Sequence, residues 1–161
     1  MIILDTDILS IFAKSGEMPL LLEQFGNDMG MTPAIMQEIA APIDYGYEFP
    51  LSVINTLKSV QMNNEAITNY HIITQNKKLG KGECEAIAYC KSTSSLFITN
   101  DRKARETAIK FQVKAISLPA LLRVLILKKI RTKDEVKAIL NKMKKNDHLI
   151  LDHQVEKAIF F

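Results

Sequence analysis

Five acidic side chains carry the chemistry that this sequence suggests. Asp5 closes the apolar run MIILD, Asp101 closes SLFITND, Glu38 lies within PAIMQEIAA, and Glu83 and Glu85 form the paired acids of GKGECEAIA. Carboxylates ~4 Å apart repel by about 4 kcal/mol per pair at an effective dielectric near 20, so acids gathered in one hollow require protons, cationic partners or a metal ion. No lysine or histidine stands out as their neutraliser. Hard oxygen ligands with room for water suit Mg²⁺ or Mn²⁺. An ion of that kind acidifies its water and stabilises charge growing on a phosphoryl group, which points to metal-assisted phosphodiester hydrolysis. Asp7, Thr99 and Asn100, next to the outer ligands, are candidates to fix ligand rotamers or waters.

Positioning these acids together demands a particular scaffold. MIILDT reads as a buried strand, Asp28 to Thr32, SLFITND and VKAISL read as further strands, and a short edge strand is expected at Val60 to Met62. Helices are expected at Ile8–Lys14, Pro19–Phe25, from Pro33 to the stop at Pro42, from near Leu51, over Glu65–Gln75, after the Gly80 turn, and over RKARETAIKF with Ala104, Ala108 and Phe111 inward. Strands alternating with helices imply crossover connections, hence an α/β three-layer sandwich around a mainly parallel sheet. Ligands of such sheets sit beyond the carboxyl ends of the strands, where Asp5 and Asp101 both fall. On the helix after Gly80, Glu83 shares a stripe with Ala86, Ile87 and Cys90, and Glu85 takes the neighbouring face. Glu38 lies about 7.5 Å along its helix from Pro33 at ~1.5 Å per residue, within reach of the same crevice.

Each acid alone has a plainer explanation. Asp5 and Asp101 suit helix caps, Glu83 and Glu85 are favourable first-turn charges, and Glu38 suits a solvated flank. Their shared position at one end of the expected sheet is what those explanations leave out.

The 161 residues fit one domain spanning 1–161, with C-terminal helices from about residue 119. At 47% hydrophobic and 24% charged, the composition excludes disordered and low-complexity classes. The most apolar run, Leu118 to Leu127, contains Arg123 and falls short of the ~20 residues that a spanning helix needs, so no membrane role is expected. The start carries no basic stretch or cleavage site of a signal peptide, and Cys84 and Cys90 are too far apart on one helix to pair, which together suggest a cytoplasmic protein. Residues 1–99 carry six Lys/Arg and eleven Asp/Glu, net −5, whereas 100–161 carry fifteen and seven, net +8. An acidic pocket beside a basic surface suits a phosphate-bearing polymer, and Arg102, Lys103 and Arg105 are the candidate phosphate contacts. Tyr45, Tyr47 and Phe49 either stack on bases or tuck against the core, while His71, His148 and His153 lack ligand spacing and are given no chemistry.

In order and spacing, IILDTDIL, TPAIMQEIA, GKGECEAIA and LFITNDRKAR resemble the PIN-domain nucleases, a family of α/β metal-dependent ribonucleases that includes VapC-type toxins and is related to flap endonucleases. The resemblance spans most of the chain. It implies Mg²⁺- or Mn²⁺-dependent endonucleolytic cleavage of RNA, with Asp5, Glu38, Glu83 and Asp101 as the metal-binding and catalytic acids and Glu85 as the competing third ligand. It also implies the toxin role of a toxin–antitoxin pair, with a protein antitoxin as partner, and a homodimer. Many VapC-type toxins carry Asp where this chain carries Glu83, so the nuclease expectation is the firmer part.

Two other readings compete. LDTDIL imitates the strand-end DxD of haloacid-dehalogenase-like phosphatases, with Asp5 as nucleophile, but no Gly-Thr follows the second Asp and the later lysine and acid set is missing. The other is a non-catalytic RNA- or partner-binding module with a PIN-like fold, against which the full set of acids argues.

Overall fold

The computed structural model describes residues 1–75 and 77–161. Four short strands, β1 (Ile2–Leu4), β2 (Met29–Gly30), β3 (Leu96–Ile98) and β4 (Ala115–Ile116), form one sheet in the order β2-β1-β3-β4, and every pairing is parallel. Parallel neighbours need crossovers, and helices supply each of them. From β1 to β2 run α1 (Thr6–Lys14) and α2 (Met18–Phe25). From β2 to β3 run α3 (Pro33–Ala40), a 3-10 turn (Ala41–Tyr45), α4 (Phe49–Ile54), α5 (Asn64–Ile73) and α6 (Lys81–Thr93). From β3 to β4 runs α7 (Arg102–Lys110). The chain ends in α8 (Leu118–Leu127), α9 (Lys133–Asp147) and α10 (His153–Phe160). The order reverses direction between β1 and β3. Right-handed crossovers therefore place α1 and α2 on one face and α6 and α7 on the other. α9 packs on α1 and α6 contacts α7, as this division expects, while α3 and α4 also reach α1 and α10 lies on α8. This is the expected three-layer α/β sandwich.

The strands are shorter than their apolar runs because they are interior to three layers. Ile3, Leu4, Phe97 and Ile98 are fully buried, and burial on both faces selects continuous apolar residues whatever the length of hydrogen-bonded pairing. The edge strand expected at Val60–Met62 reduces to one parallel bridge between Met31 and Ser59, with Val60 N–H donating to Met31 O at 2.8 Å. Gly30 permits that approach, since a Cβ there would stand 3.0 Å from Val60 Cγ1. Between the helix stop expected at Pro42 and the helix expected from near Leu51, the chain forms the 3-10 turn and the start of α4, because Pro42 and Pro50 occupy early helical positions that need no N–H. Tyr45 and Tyr47 point outward, and Phe49 is half-buried beneath the Lys14 ammonium. Ala104 and Ala108 are buried as expected, whereas Phe111 is only half-buried at the end of α7. Both cysteines are buried free thiols, and burial pushes Cys90 up to about 12.

One long-range bond fixes the helix that carries Glu38. Thr32 precedes α3 but its hydroxyl provides no cap, and among the described residues its buried Oγ1 has no hydrogen-bond partner. The buried Glu85 on α6 reaches across instead, accepting from Ala34 N–H at 2.7 Å. A carboxylate at a helix N-terminus answers both an orphan donor and the positive end of the helix dipole. Glu85→Ala leaves that donor unsatisfied and is expected to cost about 1–3 kcal/mol of unfolding free energy, measured by urea denaturation.

Candidate metal centre

The site lies where the strand order reverses. Leu4 pairs with Ile98, and Asp5 N–H donates to Ile98 O at 3.0 Å, so the chain leaves β1 and β3 side by side. A parallel sheet opens a crevice at such a reversal, because the flanking connections depart to opposite faces. Asp5 begins α1 as its cap and is 6% exposed. Its Oδ1 accepts from Thr6 N–H at 2.8 Å and its Oδ2 accepts from the Thr99 hydroxyl at 2.5 Å. Thr99 is itself fully buried, so this pair ties the ends of the two central strands together.

The other acids arrive from separate helices. Glu38 accepts a hydrogen bond from the Thr6 hydroxyl. Its carboxylate rests on Gly82 of α6, where a Cβ would stand 2.8 and 2.9 Å from the two carboxylate oxygens. Glu83 accepts from Gly80 N–H at 3.0 Å in a capping box. Asp101 caps α7, accepting from Ala104 N–H at 2.7 Å. The cap explanations for Asp5, Glu83 and Asp101 are thus realised, and the same local bonds aim their carboxylates at one edge of the sheet.

Electrostatics tie these groups into one cluster. Burial pushes Asp5 up to about 7; the Thr99 hydroxyl and Thr6 N–H pull against that shift, and the charges of Glu83 and Asp7 add to it. Glu83 is raised by burial against the Gly80 N–H, and further by Asp101, Glu38 and Asp7. Glu83 therefore feels Asp7, Glu38 and Asp101, and Asp5 feels Glu83 and Asp7, so acids from four segments of chain act on these two. Among the described residues, none of these five takes part in an ion pair with a basic side chain.

The donor set matches a hard divalent cation in chemistry: carboxylate oxygens, with no ion-paired cation among the described residues. Glu38 Oε1, Glu83 Oε1 and Asp101 Oδ2 take no hydrogen bond among the described residues. No three His, Cys, Asp or Glu side chains among them stand close enough together to grip an ion as they are.

The remaining expected residues divide. Glu85 is turned away beneath α3, bonded to Ala34, so Glu83 is the acid of the pair that faces the cluster. Asn100 accepts from Leu118 N–H at 3.0 Å and so tethers α8. Arg105 donates to Thr99 O at 2.8 Å and braces the end of β3, whereas Arg102 pairs with Glu106 at 2.8 Å on the surface and Lys103 is exposed. Sequence reasoning missed Thr6 and Gly82. Thr6 was legible only as the residue between two aspartates, and Gly82 as the second glycine of GKG, with no local sign that Glu38 lies against either.

The raised Asp5 makes stability depend on pH. The folded protein keeps this proton up to about 7, whereas an aspartate in the unfolded chain ordinarily loses it near 3.8. Between those values the unfolded state binds fewer protons, so this group's contribution is greatest below the lower value, declines as pH rises and levels off above about 7. In EDTA, urea midpoints of the wild type are expected to fall across that window. Asp5→Asn, which carries no such proton, removes this part of the slope.

A family model for the PIN domain matches residues 1–160. No curated protein matches the chain. PIN domains are in general nucleases that typically use divalent metals, which accords with an oxygen-only acidic cluster at the strand reversal. With the match covering nearly the whole length, and the all-parallel sheet built as that family's fold requires, the chain belongs to the PIN-domain family.

Proposed function

We propose that this protein is a metal-dependent endoribonuclease that uses Mg²⁺ or Mn²⁺ held by Asp5, Glu38, Glu83 and Asp101. The observation that carries this reading is the electrostatic coupling of carboxylates from four remote segments, none of them ion-paired with a basic side chain among the described residues. A divalent ion bound there supplies Lewis acidity toward phosphoryl oxygens and acidifies its water.

The chain's own residues contribute placement. Thr99 fixes one oxygen of Asp5 and Thr6 N–H the other, so the ligand deepest in the crevice has one rotamer. Thr6 and Gly82 together set Glu38, the hydroxyl by donating and the glycine by leaving room. Arg105 keeps the Thr99 peptide in place. Arg102 and Lys103, in the first turn of α7 beside Asp101, offer charge for the RNA backbone. No helix among the described residues is long and apolar enough to cross a membrane. A phosphatase using Asp5 as nucleophile is disfavoured, because no Gly-Thr follows the second Asp of LDTDIL.

Purified protein incubated with RNA and Mn²⁺ is expected to cut internal phosphodiester bonds, and EDTA to stop it. Asp5→Asn and Asp101→Asn are each expected to lower cleavage at least about 100-fold while keeping the far-UV circular dichroism of the wild type, since each removes a charged ligand at constant volume. Undiminished cutting by both variants rejects the assignment. Gly82→Ala separates fold from chemistry: alanine favours the helix by up to about 1 kcal/mol, yet its methyl displaces the Glu38 carboxylate. Its thermal midpoint is expected to hold while its Mn²⁺-dependent rate drops.

A further inference from the structure

A cavity of about 360 Å³ opens beside the acidic cluster, between α1 and the turn that follows α9. It adjoins the metal centre directly, because Asp7 and Asn100 form part of its wall. We infer that this cavity is a specificity subsite for one nucleobase flanking the scissile phosphate, an assignment that rests on the nuclease reading above.

Its lining has the two properties that base recognition needs. One is an adjacent donor and acceptor fixed in place. Lys14 Nζ lies 2.7 Å from Asp147 Oδ1 and 4.9 Å from the Phe49 ring centroid, so the ammonium is held by an ion pair and a cation–π contact at once. A lysine so fixed still has N–H groups to donate, and the other oxygen of Asp147 can accept, which matches the neighbouring acceptor and donor on the edge of an unpaired base. The Ser10 hydroxyl adds a group able to do either.

The second property is an apolar face at the mouth. Ile150 lines the cavity and is 91% exposed, the most exposed of the large hydrophobic residues. Its place follows from His148, which ends α9 in the left-handed region at φ 53, a conformation that normally favours glycine. That turn brings residues 148–150 over α1, far in sequence from the acids yet against the same crevice. Lys14 is already paired with Asp147, and Asp7 adds a further negative charge to the wall, which makes the cavity a poor phosphate site, so the base rather than the backbone is the fitting occupant.

The test is cleavage of a randomised single-stranded RNA pool with Mn²⁺, followed by sequencing of the cut ends, for the wild type, Ile150→Ala and Ser10→Leu. Ile150→Ala changes an exposed side chain, and Ser10→Leu fills the cavity. Wild-type cuts are expected to be enriched for particular bases at one position adjoining the break. Both variants are expected to flatten that enrichment and to raise KM for the preferred oligonucleotide about tenfold, with kcat within about twofold. Unchanged preference and KM in both, while Asp5→Asn abolishes cutting, overturn the subsite and leave the nuclease reading standing. If wild-type protein cuts no RNA, the nuclease reading fails. Equal affinity of wild type and Ile150→Ala for a labelled RNA 10-mer by fluorescence anisotropy then overturns the subsite as well.

Discussion

The parallel pairing of β1 with β3 is the constraint on which the site depends. Because Leu4 stands opposite Ile98, the residue after each strand emerges at the same level, and the Thr99 hydroxyl meets the Asp5 carboxylate at 2.5 Å. A slip of one residue would turn Asp5 to the other face of the sheet. The register is held by side chains buried on both faces, Ile3 and Leu4 on one strand and Phe97 and Ile98 on the other. The hydrophobic core thus sets the position of the most perturbed acid.

Around that fixed point, helices deliver the remaining carboxylates through bonds that each do two jobs. The interaction that caps α7 aims Asp101, and the capping box of α6 aims Glu83. The carboxylate that is not in the cluster, Glu85, anchors the start of α3 and thereby fixes the helix bearing Glu38. A backbone N–H donor offsets part of the cost of a partly buried negative charge, and here it offsets only part: Asp5 and Glu83 remain shifted upward. Burial is the main cause of both shifts, and the neighbouring acids add to it. Membership in the PIN-domain family agrees with an acidic cluster at this edge of the sheet.

The surface next to the cluster differs in character. At α7 it is cationic, with Arg102 and Lys103 exposed, and between α1 and the end of α9 it is a concave mixture of polar and apolar groups. A polymer whose backbone is charged and whose bases are flat and partly apolar presents both kinds of surface. The late basic half of the chain contributes to each side, with Arg102 and Lys103 on one and the turn after α9 on the other.

What the sequence determined by itself was local or periodic: strands from short apolar runs, helices from their starts and stops, and acids at the ends of strands. From these, the parallel three-layer architecture was legible, and so was the expectation that Asp5, Glu38, Glu83 and Asp101 share one end of the sheet. Only the tertiary structure decided which acid of GECEA faces the cluster, since both lie near the first turn of α6 and the choice depends on where α3 packs. It alone revealed Thr6 holding Glu38 and Gly82 making room for it, contacts across 32 and 44 positions of chain that no local pattern encodes. The segment near Val60 shows the same limit: its apolar character was visible, but whether it pairs as a strand or touches the edge once depends on the partner's geometry. Local propensity is written in neighbouring residues, whereas hydrogen-bond partners and close approaches belong to the packing of elements that meet only after the chain has folded.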